Sequence, residues 1–403
     1  MDLSAPRAPA RTALALAALL AAEGCAFAAP KPGAFYALPA SSVPATPGEL
    51  IRYETMPRAP VGAQAWRVLY SSTGVDGKPV AVSGVVLVPA GPAPTNGWDV
   101  VAWAHATTGV APACAPSLRR DALDEIPGAA PLLSRGYVVT ATDYPGLGTA
   151  GPHPYLVGES EARAVLDLVR AARKLPAQHV GPRFAVWGHS QGGQAALFTG
   201  QLASRYAPEL ALVGVGAVAP ATDLTPLTRE DVNTVAGRVF LSYVVWSWTR
   251  VYGADPDIFL RPSATAVVDS VAATCVITDR EAYLAAVAAA PLRDDFIPVE
   301  RDSLGVWLRL LTLNTPGAAP VAAPIFFAQG SADDLVPPRM TLAFAARLCR
   351  QGEHVRWMWM PGVKHVGAAE SAAAAMVGFM EERFSGTPAG DQCGAIVAEA
   401  GAK

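Results

Sequence analysis

Short apolar runs recur along the chain, each closed by glycine, proline or a polar loop. Residues 66–71 and 80–88 have the composition of strands, and Asp76-Gly77 between them is a hairpin turn signal. Residues 100–104, 137–142, 184–187, 213–218, 325–328 and 355–360 are further apolar runs of strand length. Over 161–174 the spacing changes: Ala162, Val165, Leu166, Val169 and Ala172 form a helical stripe. Short strands alternating with helices predict an α/β fold with a parallel sheet covered on both faces, made mixed by the hairpin at its start. Residues 29–62, rich in proline, alanine and serine, are expected to form an extended arm on the surface.

Residues 220–320 break this rhythm. They hold helix-like pieces at 232–248, 280–290 and 303–313, with Trp246, Trp248, Phe259 and Trp307 among them. An insertion of that length between two strands is too long for a connector. It predicts a helical cap, or lid, over the C-terminal ends of the strands. Most of the aromatics are expected to form the cap's own core and a minority to line an apolar pocket. The expected organisation is a leader at 1–28, an α/β core at 29–219 and 321–403, and the cap at 220–320.

The length is enough for one large or two modest domains. Of 403 residues 51% are hydrophobic and only 16% charged, enough for a sizeable core. The net charge of −3, without a basic run, argues against a nucleic-acid partner. Arg7 and Arg11 precede an apolar run at 13–22, and Ala26-Phe27-Ala28 has the form of a signal-peptidase site. That run is too short for a bilayer of roughly 30 Å, so 1–28 reads as a secretory signal and the mature chain as secreted or periplasmic. Lipid attachment at Cys25 is the rival reading, but Glu23 spoils the lipobox. No later segment resembles a membrane span. Beyond Cys25 the chain has Cys114, Cys275, Cys349 and Cys393, an even number that suggests two disulfides in an exported protein; arithmetic alone permits three pairings. No Cys or His pair has metal-ligand spacing, and Gly146-x-Gly148 is too short for a dinucleotide fingerprint, so neither metal nor cofactor is expected.

The chemistry is carried by Gly188-His189-Ser190-Gln191-Gly192, which lies between an apolar run and a helix-prone stretch. Strand, glycine-pinched turn and helix in that order make a nucleophile elbow, with Ser190 held out over the sheet edge. Serine needs a base, and the base needs an orienting acid. Both are expected downstream, each just past a late strand. After 325–328 come Asp333 and Asp334; the G-x-x-D-x-x-V-P spacing favours Asp333, with Asp334 expected to cap the helix beginning near Pro337. After 355–360 comes His365, the expected general base. Among the other histidines, His354 precedes that strand and is expected at the surface. His153 and His179 sit in Pro/Gly-flanked loops and are expected to be solvated. His189 is expected to pack under the turn. The oxyanion of an acyl-transfer intermediate is expected to meet the amide of Gln191 and one from the loop after 100–104, with Thr107 favoured over Ala106. His105 is expected to orient that loop.

These motifs resemble the secretory lipase family of α/β-hydrolases, the lipase-A-like group. The resemblance is carried by residues 102–109, by Cys114-Ala115-Pro116-Ser117 and Asp143-Tyr144-Pro145-Gly146-Leu147-Gly148, by the elbow, by Gly330-Ser331-Ala332-Asp333 and by the loop at His365. It runs from about residue 50 to 395. Ala106 departs from it, since many relatives of this type carry glycine there, and the choice between Thr107 and Ala106 stays open. The resemblance implies a cofactor-free acyl-ester hydrolase whose cap gates an acyl tunnel. It also implies disulfides Cys114–Cys275 and Cys349–Cys393. The expected substrate is a small-molecule or lipid ester, with lipid-interface contact through the cap and no obligate protein partner. A peptidase or amidase could use the same triad, although an apolar cap favours esters. A non-catalytic binding protein could keep the fold, although such proteins usually lack a triad member.

Overall fold

The computed structural model describes residues 31–176, 178–293, 296–297 and 305–402. The expected leader at 1–28, with Cys25, lies outside the described residues, as does the start of the helix expected at 303–313.

Nine strands form one sheet: β1 (Leu50–Thr55), β2 (Ala63–Thr73), β3 (Pro79–Pro89), β4 (Trp98–Ala104), β5 (Val138–Thr142), β6 (Val180–His189), β7 (Ala211–Val218), β8 (Ile325–Gly330) and β9 (Val355–Met360). Their spatial order is β1-β2-β3-β5-β4-β6-β7-β8-β9. Pairing is antiparallel from β1 to β5 and parallel from there to β9. Period-two alternation sends successive side chains to opposite faces. Val100, Ala102, Phe184 and Val186 enter one apolar core, while Val101, Trp103, Ala185 and Trp187 enter the other. The first core is closed by α2 (Gly158–Ala172), α3 (Gln191–Tyr206), α10 (Pro338–Arg350) and α12 (Cys393–Ala402), the second by α1 (Ala129–Ser134) and α11 (Ala368–Phe384).

One strand departs from expectation. β1 lies in the region expected as an extended arm, and it pairs antiparallel with β2 at the sheet edge. Its Tyr53 and Glu54 face solvent, as suits an edge strand, so it lacks a hydrophobic signature.

Between β7 and β8 the chain forms α4 (Leu224–Asp231), α5 (Val235–Val251), α6 (Pro256–Phe259), α7 (Thr265–Ala272), α8 (Asp279–Ala289) and α9 (Gly305–Leu313). The helix expected at 232–248 begins later, because Thr234 caps α5 by accepting the Gly237 N–H at 2.9 Å. α8 starts on a full capping box, Thr278 with Glu281. The helices share a core in which Trp307 stacks on Phe259 at 4.3 Å and on Trp248 at 5.9 Å. Tyr155, Leu156 and Val157, from the loop before α2, belong to the same core.

Candidate active site

Ser190 sits between β6 and α3 with φ 57° and ψ −117°, a strained conformation for a residue with a side chain. The turn closes only because its flanks are glycine. A Cβ on Gly192 would stand 1.9 Å from the Ala104 carbonyl oxygen, and one on Gly188 would stand 2.2 Å from that of Gly192. The elbow is therefore wedged against the end of β4, which brings the loop after β4 to the serine.

His365 Nε2 lies 2.9 Å from Ser190 Oγ. On its other side His365 Nδ1 is 2.9 Å from Asp333 Oδ2 and 3.1 Å from Oδ1. The Nδ1 hydrogen thus points to the carboxylate, and Nε2 is free to accept from the serine hydroxyl. Asp333 Oδ1 also accepts the N–H groups of Leu335 at 3.0 Å and Val336 at 2.8 Å, and Oδ2 accepts from Gln329 Nε2 at 2.9 Å. Burial alone would raise this carboxyl, but His365 and the amides of Val336 and Leu335 outweigh it and hold it below its ordinary value. Asp334 does not cap α10. It pairs with Lys364 at the surface, 3.3 Å away; the N-cap of α10 is Pro337, three residues further on, and the Met340 N–H donates to the Pro337 carbonyl at 2.8 Å.

The structure brings the other histidines to different places. His354 and His179 are exposed. His189 packs beside His365, with ring centroids 4.7 Å apart, and burial, aided by His365, pushes it down to about 3. His105 is buried, with Nδ1 2.6 Å from the Ala106 carbonyl oxygen and Nε2 3.3 Å from that of Asp143, and its ring lies against Tyr144. It ties its loop to the Asp143 turn. His153, expected in solvent, is fully buried. Gly146 makes room for it: a Cβ there would meet His153 N at 2.4 Å. Nothing in the Pro/Gly-rich sequence around His153 signals that burial, which comes from packing against α3 and α5.

Gln191 is the first residue of α3, so its amide points out of the helix end at Ser190. Among the described residues neither this amide nor that of Thr107 has an acceptor. Thr107 Oγ1 meets Tyr155 Oη at 2.9 Å. Ala106, Thr107, Ser190 and His365 line a cavity of about 710 Å³. Val235, Val239 and Phe240 of α5 and Ala282 and Ala286 of α8 form its apolar wall, while Ser117, Asp143 and Glu125 line it elsewhere. Trp246, Trp248, Phe259 and Trp307 do not line it; among the described aromatics from 220–320, Phe240 does. The Asp143 carboxylate is buried under hydrogen bonds from Ser83 Oγ, Ser117 Oγ and Ser117 N–H, which joins two of the sequence motifs into one support. Disulfides join Cys114 to Cys275 and Cys349 to Cys393. Among the described residues no group of three or more His, Cys, Asp or Glu could hold a metal ion.

A family model described as secretory lipase matches residues 125–288, the stretch that carries the elbow and the Asp143–Gly148 motif; the remaining motifs flank it. Over that stretch the chain resembles the secretory lipases. Similarity to proteins named as lipases extends well beyond that stretch. Lipase 10 of Candida albicans is 24% identical over 395 residues, covering 90% of this chain and 83% of that protein. A probable inactive lipase of Mycobacterium tuberculosis is 30% identical over 211 residues, covering 48% of this chain and 46% of that protein. Candida antarctica lipase A in its closed state superposes with a TM-score of 0.73 at 20% identity, covering 92% of this chain and 90% of that one. The fold is that of the α/β-hydrolases. A second family model, the prolyl oligopeptidase family, matches residues 309–387, where the Asp333 and His365 loops lie.

Proposed function

We propose that the protein is an exported serine carboxylic-ester hydrolase in which Ser190, His365 and Asp333 act together. The observation that carries this reading is the continuous relay Asp333–His365–Ser190, with both links at 2.9 Å, opening into a largely apolar cavity. Ser190 Oγ attacks the ester carbonyl carbon as its proton passes to His365 Nε2. The carbonyl oxygen becomes an oxyanion and is met by the amides of Gln191 and Thr107, with Ala106 the alternative to Thr107. The C–O bond breaks, the alkoxide takes the proton from His365, and an acyl-serine remains. Water, deprotonated by the same nitrogen, attacks that acyl carbon and restores the serine.

Residues 220–320 act as the cap over the cavity. Tyr283, Leu284 and Val287 of α8 expose apolar side chains beside helix positions that line the cavity, which supports contact with a lipid surface. The apolar cap wall favours an acyl chain over a peptide. The intact relay argues against a non-catalytic role of the kind that the mycobacterial relative's name describes. Two disulfides and the leader pattern at 1–28 support export.

Ser190→Ala tests the reading. It is expected to lower kcat on p-nitrophenyl butyrate by a factor on the order of 10⁴–10⁶ without changing the melting temperature. Near wild-type turnover in that variant, or preferred cleavage of a peptide p-nitroanilide by the wild type, overturns it. A series of p-nitrophenyl esters from acetate to palmitate reads the acyl preference.

A further inference from the structure

One buried stretch, from His153 to Glu161, touches both residues assigned to the oxyanion. Glu161 lies in the first turn of α2 and has no exposed surface. Its Oε1 accepts the Leu156 N–H at 2.9 Å and a Gln191 side-chain N–H at 2.8 Å. The second hydrogen of that Gln191 amide faces His153 Nε2 at 3.1 Å. His153 Nδ1–H donates to the Pro145 carbonyl at 2.9 Å, which leaves Nε2 as an acceptor. Midway along the stretch, Tyr155 Oη meets Thr107 Oγ1. The stretch is itself anchored to α5, since Ser247 Oγ accepts the Tyr155 N–H at 2.9 Å and donates to the His153 carbonyl at 2.7 Å.

A position needed only for packing would hold an apolar side chain. Glu161 instead buries a carboxyl whose Oε2 has no hydrogen-bond partner among the described residues. Leaving a buried acceptor unpaired is unfavourable, so the contacts of Oε1 are what keeps a carboxyl at this site.

We propose that Glu161 is a positioning residue for oxyanion stabilisation. By accepting from both the Gln191 side chain and the Leu156 main chain, it fixes the Gln191 amide directly and Thr107 through Tyr155. This rests on the ester-hydrolase reading above. Glu161 touches no reacting atom. Gln191 enters α3 with both side-chain hydrogens held, so the helix start cannot rotate its amide away from the carbonyl it must meet. Such an effect belongs to the transition state, where charge develops on that oxygen, and not to substrate binding.

The test compares Glu161→Gln, Glu161→Leu, Gln191→Met and the double variant Glu161→Leu/Gln191→Met. Folding is checked by circular dichroism. The readouts are kcat and KM on p-nitrophenyl butyrate and the Ki of an alkylboronic acid, which forms a tetrahedral adduct on serine. Glu161→Gln keeps the Oε1 acceptor and is expected to stay within about threefold of wild-type kcat. Glu161→Leu is expected to lose roughly 10- to 100-fold in kcat, less than the 10²–10³ seen when a donor is removed outright. Its KM should stay within about twofold and its boronate affinity should fall in parallel. The double variant should be little worse than either single one, because the two side chains act through one contact. A folded Glu161→Leu variant with wild-type kcat and Ki overturns the proposal, as does additive loss in the double variant or equal loss in Glu161→Gln. Should Glu161→Leu not fold, Gln191→Met decides: it retains the main-chain amide, and wild-type kcat there overturns the proposal. Failure of the ester-hydrolase reading is distinguishable, since the wild type would then lack ester turnover that depends on Ser190.

Discussion

His365 and Ser190 stand 175 residues apart in the chain, yet His365 Nε2 meets Ser190 Oγ at 2.9 Å. The distance closes because β8 and β9 run parallel with Gly330 opposite Met360. The acid loop and the histidine loop therefore leave the sheet side by side, at the same edge as the elbow.

That geometry separates two adjacent carboxylates. Asp333→Asn is expected to lower kcat by roughly 10³- to 10⁴-fold, because an amide no longer holds the histidine tautomer or stabilises the imidazolium. Asp334→Asn should leave kcat within about twofold, since Asp334 has only a surface pair with Lys364. Steady-state kinetics on both variants check this; a larger loss in Asp334→Asn would reassign the acid.

Gly192→Ala should prevent the elbow from closing. The added Cβ would stand 1.9 Å from the Ala104 carbonyl oxygen, which belongs to the backbone of a central strand and cannot give way. Gly193→Ala is the control, because its nearest contact is a proline ring carbon at 2.8 Å. We expect little or no folded Gly192→Ala protein and a milder loss of melting temperature in Gly193→Ala. Thermal melts read both, and a Gly192→Ala enzyme that melts and turns over like the wild type would contradict the close approach of elbow and β4.

The positions of Ser190, Asp333 and His365, the residues of the proposed relay, were legible because each follows an apolar run that ends at the sheet edge, so sequence order alone assigned them to strand ends. Residues 355–360 needed no adjustment, being apolar and sharply bounded. β1 was hidden because half its side chains meet solvent. Asp334 looked like a helix cap because proximity to Pro337 suggests one, yet the cap position falls on Pro337 itself, three residues beyond it. His153 and Glu161 were invisible for a deeper reason. A histidine in a Pro/Gly-rich loop and a glutamate in a helical stripe are ordinary surface residues until tertiary packing buries them against Gln191. The tryptophans of 220–320 marked an apolar core correctly, but the cavity wall is built from the smaller Ala and Val side chains and Phe240.

The two disulfides are expected to differ in what they support. Cys114–Cys275 spans 161 residues and joins the loop after β4 to the turn before α8, where the Val276 N–H also donates to the Thr108 carbonyl at 3.0 Å. Cys349–Cys393 spans 44 residues and joins α10 to α12. Chain entropy gives roughly 3–5 kcal/mol for loops of these lengths, so replacing either pair by serine should lower the melting temperature. Only loss of Cys114–Cys275 should also lower kcat, because it loosens the loop carrying Thr107. Equal kcat values for the two serine pairs, measured well below their melting temperatures, would contradict that coupling.

Glu161 should contribute a stability that falls as pH rises. Burial pushes its carboxyl up to about 8 from an ordinary value of 4.5, although the hydrogen bonds from Gln191 and Leu156 pull the other way. The folded state therefore binds this proton more tightly than the unfolded chain. The resulting stabilisation is fully present below the unfolded value and is lost as pH climbs through the folded one. The titratable groups facing Glu161 stay neutral over this window: burial holds His153 down to about 3 and raises Tyr144, Tyr155 and Tyr252 above their usual range. Asp167, pushed up to about 6 by burial, adds a slope of the same sign that is common to wild type and variant. Glu161→Gln carries no titratable proton, so its stability should fall less steeply between pH 5 and pH 9. Relative to the wild type, the variant should gain melting temperature as pH rises. Urea unfolding at pH 5, 7 and 9 measures this directly; parallel curves for the two proteins would mean that the Glu161 carboxyl ionises in its ordinary range despite its burial.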